Sequence, residues 1–177
     1  MRVCRLGASL LLAAWLWIAG VVSPAPAAAL ILQQQDDTAT GLVRSLETLR
    51  DLDYESWQLV AYRDGPPGAA LRLRVVGFPG KVRLDHPTPL LVRGGRRQWQ
   101  LADVTLDNPK LAADGRAAAA EFNLAPLLED LHKDRPLRLE LPGVFVELPV
   151  PPYVVAEWRQ LPALTAPPQA APAVPAG

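Results

Sequence analysis

Alternation of apolar and charged residues around a Pro-Gly pair constrains this chain more than any other feature. In Leu71-Arg-Leu-Arg-Val-Val-Gly-Phe-Pro-Gly80, an extended strand puts Leu71, Leu73 and Val75 on one face and Arg72 and Arg74 on the other. Pro79 presets φ for the first central position of a β-turn. Gly80 supplies the positive φ that a type II turn needs at the second. A turn over Phe78 to Lys81 then pairs Val75 with Leu84 and Arg74 with Asp85, and it sorts Val82 and Leu84 onto the apolar face. A one-residue slip turns one strand's apolar set outward, so the pattern favours this register.

The same grammar recurs along the chain. Trp57 to Tyr62 reads as a strand with apolar residues on both faces, which suits a central position. Asp64 to Ala69 is a Gly/Pro loop. Gly94-Gly95 between Leu90–Arg93 and Arg96–Val104 predicts a second hairpin, with Leu90 facing Trp99, Val92 facing Arg97 and Arg93 facing Arg96. Pro142-Gly143 predicts a third, pairing Leu139 with Val146 on a buried face and Arg138 with Glu147 on the other. Leu106 to Arg116 reads as a loop, and Ala117 to Phe122 as a short strand or as the lead-in to a helix. That helix is capped by Asn123, has Pro126 in its first turn and ends before Pro136. Pro151-Pro152 opens a last helix, Tyr153 to Leu161, with Val154, Trp158 and Leu161 on one side. In Gly41 to Asp53 the spacing of Leu42, Leu46 and Leu49 points to a helix, although the stretch also runs directly into the Trp57 strand.

The ends have a different character. Arg2 and Arg5 precede an apolar run from Leu6 to Val22, and Ala27-Ala28-Ala29 offers a small-x-small cleavage site, so residues 1–29 are expected to be a signal peptide. Residues 30–40 read as a polar linker, residues 41–161 as a β-rich domain and residues 162–177 as a disordered Ala/Pro-rich tail. The single cysteine, Cys4, leaves with the signal, so neither a disulfide nor a thiol remains. Losing Arg2 and Arg5 from 18 basic residues against 18 acidic ones leaves a net charge of −2, which gives no general attraction to nucleic acid.

Three segments taken together carry a resemblance: Leu71 to Gly80, Phe122-Asn-Leu-Ala-Pro-Leu-Leu128, and Val150-Pro-Pro-Tyr-Val-Val-Ala-Glu-Trp-Arg-Gln160. They resemble a family of short exported cyanobacterial proteins built on a single domain of unknown function, over roughly Ser45 to Leu161. The resemblance implies origin and export but no chemistry. It also implies an extended Ser45 to Asp51, and strand is the expectation adopted there. Relatives carry glycine in the turn before the Trp57 strand, whereas Tyr54 stands here, which argues against a tight positive-φ turn.

No residue set demands a reaction. His86 and His132 are expected to be solvated surface residues, and no His-x-x-x-His, nucleophile elbow or phosphate loop is present. Asp103, Asp107 and Asp114 lack the spacing of a calcium loop and read as solvated. Glu121, Glu129 and Asp130 give no convergent carboxylate pair, because neighbours on a helix point apart. Trp57, Trp99 and Trp158 sit on apolar stripes and are assigned to the core. The best candidate is Arg93-Gly94-Gly95-Arg96-Arg97, where Arg93, Arg96 and Arg97 on one protruding turn could grip an anionic surface.

The expected fold is mainly β (α+β), an antiparallel sandwich or open barrel of about six to eight strands with one or two short helices. The expected function is that of an exported, non-catalytic factor of the periplasm or thylakoid lumen. It would bind a protein partner or an anionic membrane surface and use no cofactor, metal or nucleic acid. A carrier of a small apolar ligand in the β core is the alternative, and a hydrolase comes last.

Overall fold

The structure, a computed structural model, describes residues 42–80, 84–113 and 118–164. The expected signal peptide, the linker and the tail from Thr165 lie outside the described residues. So do Lys81, Val82 and Arg83.

Two four-stranded antiparallel sheets face each other. The first runs in the order β1 (Leu42–Arg50), β2 (Ser56–Asp64), β3 (Leu71–Val76), β6 (Ala119–Asn123). The second runs in the order β5 (Arg97–Leu101), β4 (Leu90–Gly94), β7 (Leu137–Leu141), β8 (Phe145–Val150). Inward residues alternate along the regular strands, as period two requires: Trp57, Leu59 and Ala61 on β2, Leu73 and Val75 on β3, Leu137, Leu139 and Leu141 on β7. Both flanks of the sandwich are pinned. Asp103 bridges to Phe122 where the chain leaves β5 for the other sheet, and the Leu52 amide donates to the Glu147 carbonyl at 3.3 Å. Three short helices complete the fold: α1 (Pro109–Ala113), α2 (Ala125–Asp130) and α3 (Pro152–Gln160). The last of these buries Val154, Val155 and Trp158.

The opening segment forms its strand but not its hairpin. Gly80 has φ +83°, as a Pro-Gly type II turn requires. Yet β3 is central, with Leu59 opposite Val75 on one edge and Ala120 opposite Val75 on the other, so neither edge is left for Leu84 or Asp85. Arg74 faces Glu121 instead of Asp85. Strand β6 takes this edge with Ala120 and Phe122 buried on its inward side and its outward Glu121 supplying the counter-charge.

The Gly-Gly hairpin is also displaced by one position per strand. Val92 faces Trp99, Arg93 faces Gln98 and Gly94 faces Arg97, so the turn residues are Gly95 and Arg96, with Gly95 at φ +62°. A Cβ on Gly94 would lie 2.7 Å from the Leu137 side chain and 3.1 Å from the Trp99 ring. Gly94 is therefore needed inside the strand, and only Gly95 is spent on the turn, as a two-residue loop with glycine first allows.

In the third hairpin the turn is as expected, with Gly143 at φ +78° and the Val144 amide donating to the Leu141 carbonyl at 2.9 Å. The register is not. Leu139 pairs with Leu148 and Leu141 with Phe145, so β8 carries one extra residue in a bulge, and Val146 is 72% exposed. The bulge turns Phe145 inward onto Trp57, with ring centroids 4.9 Å apart in an edge contact. Arg138 still reaches Glu147, at 3.4 Å along a diagonal.

Strand β1 overrides its helical spacing. Pairing along the whole edge of β2 splits the apolar residues between faces, with Val43 and Ser45 inward and Leu46 outward. The stretch from Leu106 is more ordered than a loop. A 3-10 turn spans Thr105–Asp107, and Asn108-Pro109 starts α1, the Asn108 Oδ1 accepting from the Lys110 amide at 3.1 Å. Asn123 does the same for α2 through the Ala125 amide at 3.2 Å.

Tyr54 adopts φ +63°, so the tight positive-φ turn that a tyrosine argued against does form here. Asp51 enforces it. Its Oδ1 accepts from the Asp53 and Glu55 amides, both at 2.9 Å, and its Oδ2 from Trp57 Nε1 at 2.8 Å. Tyr54 is 79% exposed, so little packing offsets the left-handed strain. Tyr54→Gly is expected to stabilise the protein by about 0.5–1 kcal/mol in urea unfolding. A loss of stability would mean that the ring makes contacts that outweigh the strain.

Candidate functional site

Leu84, Asp85, His86, Thr88, Asp103 and the 141–144 turn line an open recess of about 100 Å³, with Leu84, Ala120 and Leu141 as its apolar part. His86 lines it and is not a solvated residue. Its Nδ1 lies 2.8 Å from Asp103 Oδ2, and the imidazole is only 17% exposed. Asp103, expected in solvent, is 2% exposed. It also accepts from the Thr88 amide at 2.9 Å and from the Thr105 amide at 2.9 Å. Burial alone would raise its pKa. The hydrogen bonds from Thr105, His86 and Thr88 outweigh burial and hold it below the usual carboxylate value.

A carboxylate depressed in the folded state contributes stability that is complete above its unfolded value of about 3.9 and lost as pH falls through the folded value. His86→Ala removes one of the stabilising bonds. The variant is therefore expected to begin its acid unfolding at a higher pH than the parent in a melting series taken downward from neutrality. Parallel acid limbs would show that the pair does not contribute in this way.

A second polar group lies across the outer face of the first sheet. Tyr62, Arg74 and Glu121 stand side by side on β2, β3 and β6. Arg74 Nη2 donates to Glu121 Oε1 at 2.8 Å and the Tyr62 hydroxyl donates to the same oxygen. Asn108 covers the other oxygen at 3.2 Å, and the Thr105 hydroxyl accepts from the Glu121 amide at 2.8 Å. Burial first, and then the bond to and charge of Glu121, push the Tyr62 phenol up to about 12. The stretch Ala119-Ala-Glu-Phe122 held the signal for this group, a lone acid in an apolar strand, but its partners come from three other segments. Glu129 and Asp130 are exposed, as is His132 just beyond α2.

The arginine hairpin is drawn apart by its register. Arg93 points with Arg138 to the outer face of the second sheet, 3.5 Å from Glu140 and 4.0 Å from Glu147. Arg97 lies on the other side and binds Asp130, whose Oδ2 also accepts from Trp99 Nε1 at 2.9 Å. Arg96 is exposed in the turn itself. Trp57 and Trp158 are core residues, as expected, and Trp99 is half-buried against the core.

Four of the large exposed apolar side chains share one end, whereas Leu106 and Tyr153 are exposed on the 3-10 turn and on α3. Leu52, Tyr54, Phe78 and Val146 are all exposed. They stand on the three segments that touch Trp57: the 51–54 turn through Asp51, Gly77 against its ring edge, and Phe145. Such a cluster marks an interaction surface more often than chance exposure does.

No curated protein and no solved structure matches the chain. A family model described as "Protein of unknown function (DUF3122)" matches residues 29–161, and the chain belongs to that family.

Proposed function

We propose that the protein is an exported, non-catalytic binding factor of the cyanobacterial periplasm or thylakoid lumen, docking on a partner through its surface. The observation that carries this reading is the engagement of its buried polar groups. Asp103, Glu121 and Arg63 each hold two or more segments together and Asp51 clamps its own turn to Trp57, which is the work of a scaffold. The space between the sheets is filled by Trp57, Phe122, Leu59, Leu139 and their neighbours, which weighs against an apolar carrier. The exposed cluster of Leu52, Tyr54, Phe78 and Val146 is the proposed contact for a protein partner. The turn at Arg96, with Arg93 and Arg97 behind it, is the proposed contact for an anionic membrane surface.

The test uses protein carrying a photo-crosslinking amino acid at position 54 or at position 96, incubated with lumenal and periplasmic fractions and with anionic vesicles. A single adduct from position 54, competed by unlabelled protein, supports a protein partner. Salt-sensitive vesicle co-sedimentation that is lost when Arg93, Arg96 and Arg97 become Gln supports the membrane surface. Turnover of an ester, peptide or glycoside substrate that disappears in His86→Ala would overturn the non-catalytic reading.

A further inference from the structure

Helix α3 is tied to β1 through a buried carboxylate. Ser45 and Glu47 are two residues apart on the strand and share its inward side, and Tyr153 and Glu157 are four apart on the helix and share one of its faces. The Ser45 hydroxyl donates to Glu157 Oε2. Glu157 is only 3% exposed, and its other oxygen, Oε1, is buried with no hydrogen-bond partner. Among the described residues no Lys, Arg or His pairs with Glu47 or Glu157. Burial first, and then the Glu157 charge, push the Glu47 carboxyl above its ordinary value. The Tyr153 phenol is raised by burial and by both carboxylates. The three groups share one neighbourhood, and each charge in it that acts on another is negative.

A carboxylate held out of water is costly to ionise unless a positive charge compensates it. Here Glu47, two residues from Ser45 on the same side of β1, adds negative charge, and one buried Glu157 oxygen has no partner. All the donors are oxygens: two carboxylates and a hydroxyl. That is the donor class hard divalent cations take, and calcium tolerates the irregular, partly aqueous shell that a half-buried Glu47 leaves open. We propose that Glu47, Glu157 and Ser45 form a binding site for a hard divalent cation, calcium foremost, which fastens the last helix to the first strand. Two carboxylates balance one dication, and water completes the shell on the Glu47 side. The site was hidden from sequence because its two carboxylates stand on β1 and α3, the first and last elements of the domain.

The purified protein is stripped with EDTA and titrated with calcium, magnesium and sodium chlorides, followed by thermal melting and calorimetry. Calcium at roughly ten times its Kd is expected to raise Tm by about 3–6 °C, more than magnesium does, with sodium at matched ionic strength giving no shift. Glu157→Gln keeps an acceptor for Ser45 but loses the charge. Without calcium this variant is expected to melt no lower than the parent, and with calcium to show no shift. Glu47→Gln is expected to lose at least half of the shift. A parent indifferent to calcium up to about 10 mM overturns the proposal, since an affinity weaker than the millimolar range of extracellular modules would leave the site empty. An equal calcium shift in Glu157→Gln overturns it as well. So does a parent that is stabilised by acidification and not by calcium, because a proton would then hold the position.

Discussion

Arg63→Met is expected to destabilise the protein by about 3–5 kcal/mol, a fall in Tm of roughly 10–20 °C. Arg63 closes β2 on the inward side and is almost fully buried. Its Nε donates to the Gly65 carbonyl at 3.2 Å, and Nη1 donates to the carbonyls of Leu161 at 2.6 Å and Pro162 at 2.8 Å. Nη2 donates to the Leu164 carbonyl. One planar fork therefore gathers carbonyls from Gly65 and from the turn that follows α3, near the helix's C-terminal end, where the dipole also favours a cation. Methionine keeps much of the volume but leaves four carbonyl acceptors without their donor, two buried and two part-buried. Arg63→Lys retains the charge without the fork and should recover only part of the loss. Urea unfolding of the three proteins measures this. A loss below about 1 kcal/mol for Arg63→Met would mean that water replaces the guanidinium.

The second large effect belongs to Trp57. Trp57→Ala is expected to cost about 3–5 kcal/mol, since the indole is buried against Phe145 and its Nε1 anchors Asp51. The same ring explains Gly77. A Cβ at that position would stand 2.7 Å from Trp57 Cζ3, and the ring has no room to retreat between Asp51 and Phe145. Gly77→Ala should therefore cost about 1–3 kcal/mol by overpacking. Combined with Trp57→Phe, which removes the clashing part of the ring, the alanine should cost less by about 1 kcal/mol or more. Additive effects would show that the backbone shifts to relieve the contact. Both substitutions weaken the end that carries the exposed apolar cluster, so partner binding should fall with them.

The local chemistry of this chain was legible in its residues. Period-two alternation marked the strands, Pro79-Gly80, Gly94-Gly95 and Pro142-Gly143 marked turns, and Asn123 marked a helix start. Those signals depend on neighbours in sequence, and they led to a mainly β sandwich with short helices. Registers and partners were another matter. The Leu71 strand has a tidy local partner in Val82 to Asp85, but a strand has two edges, and β2 and β6 fill both. The bulge in β8 was fixed by where Phe145 had to reach Trp57.

The polar groups that matter most are long-range by construction. His86 finds Asp103, Arg74 finds Glu121, Arg63 finds the end of α3, and Ser45 finds Glu157. A lone acid or base in a sequence is indistinguishable from a solvated one. Whether it is buried, and beside what, is decided only when the sheets close. The sequence by itself thus determined which segments after β1 extend, where the chain turns to within a residue, and most of the apolar faces, because these follow from backbone sterics and side-chain polarity over a few residues. The tertiary structure alone decided which strand lies beside which and which charges lose their water, because both depend on competition among distant segments for the same edge and the same buried space.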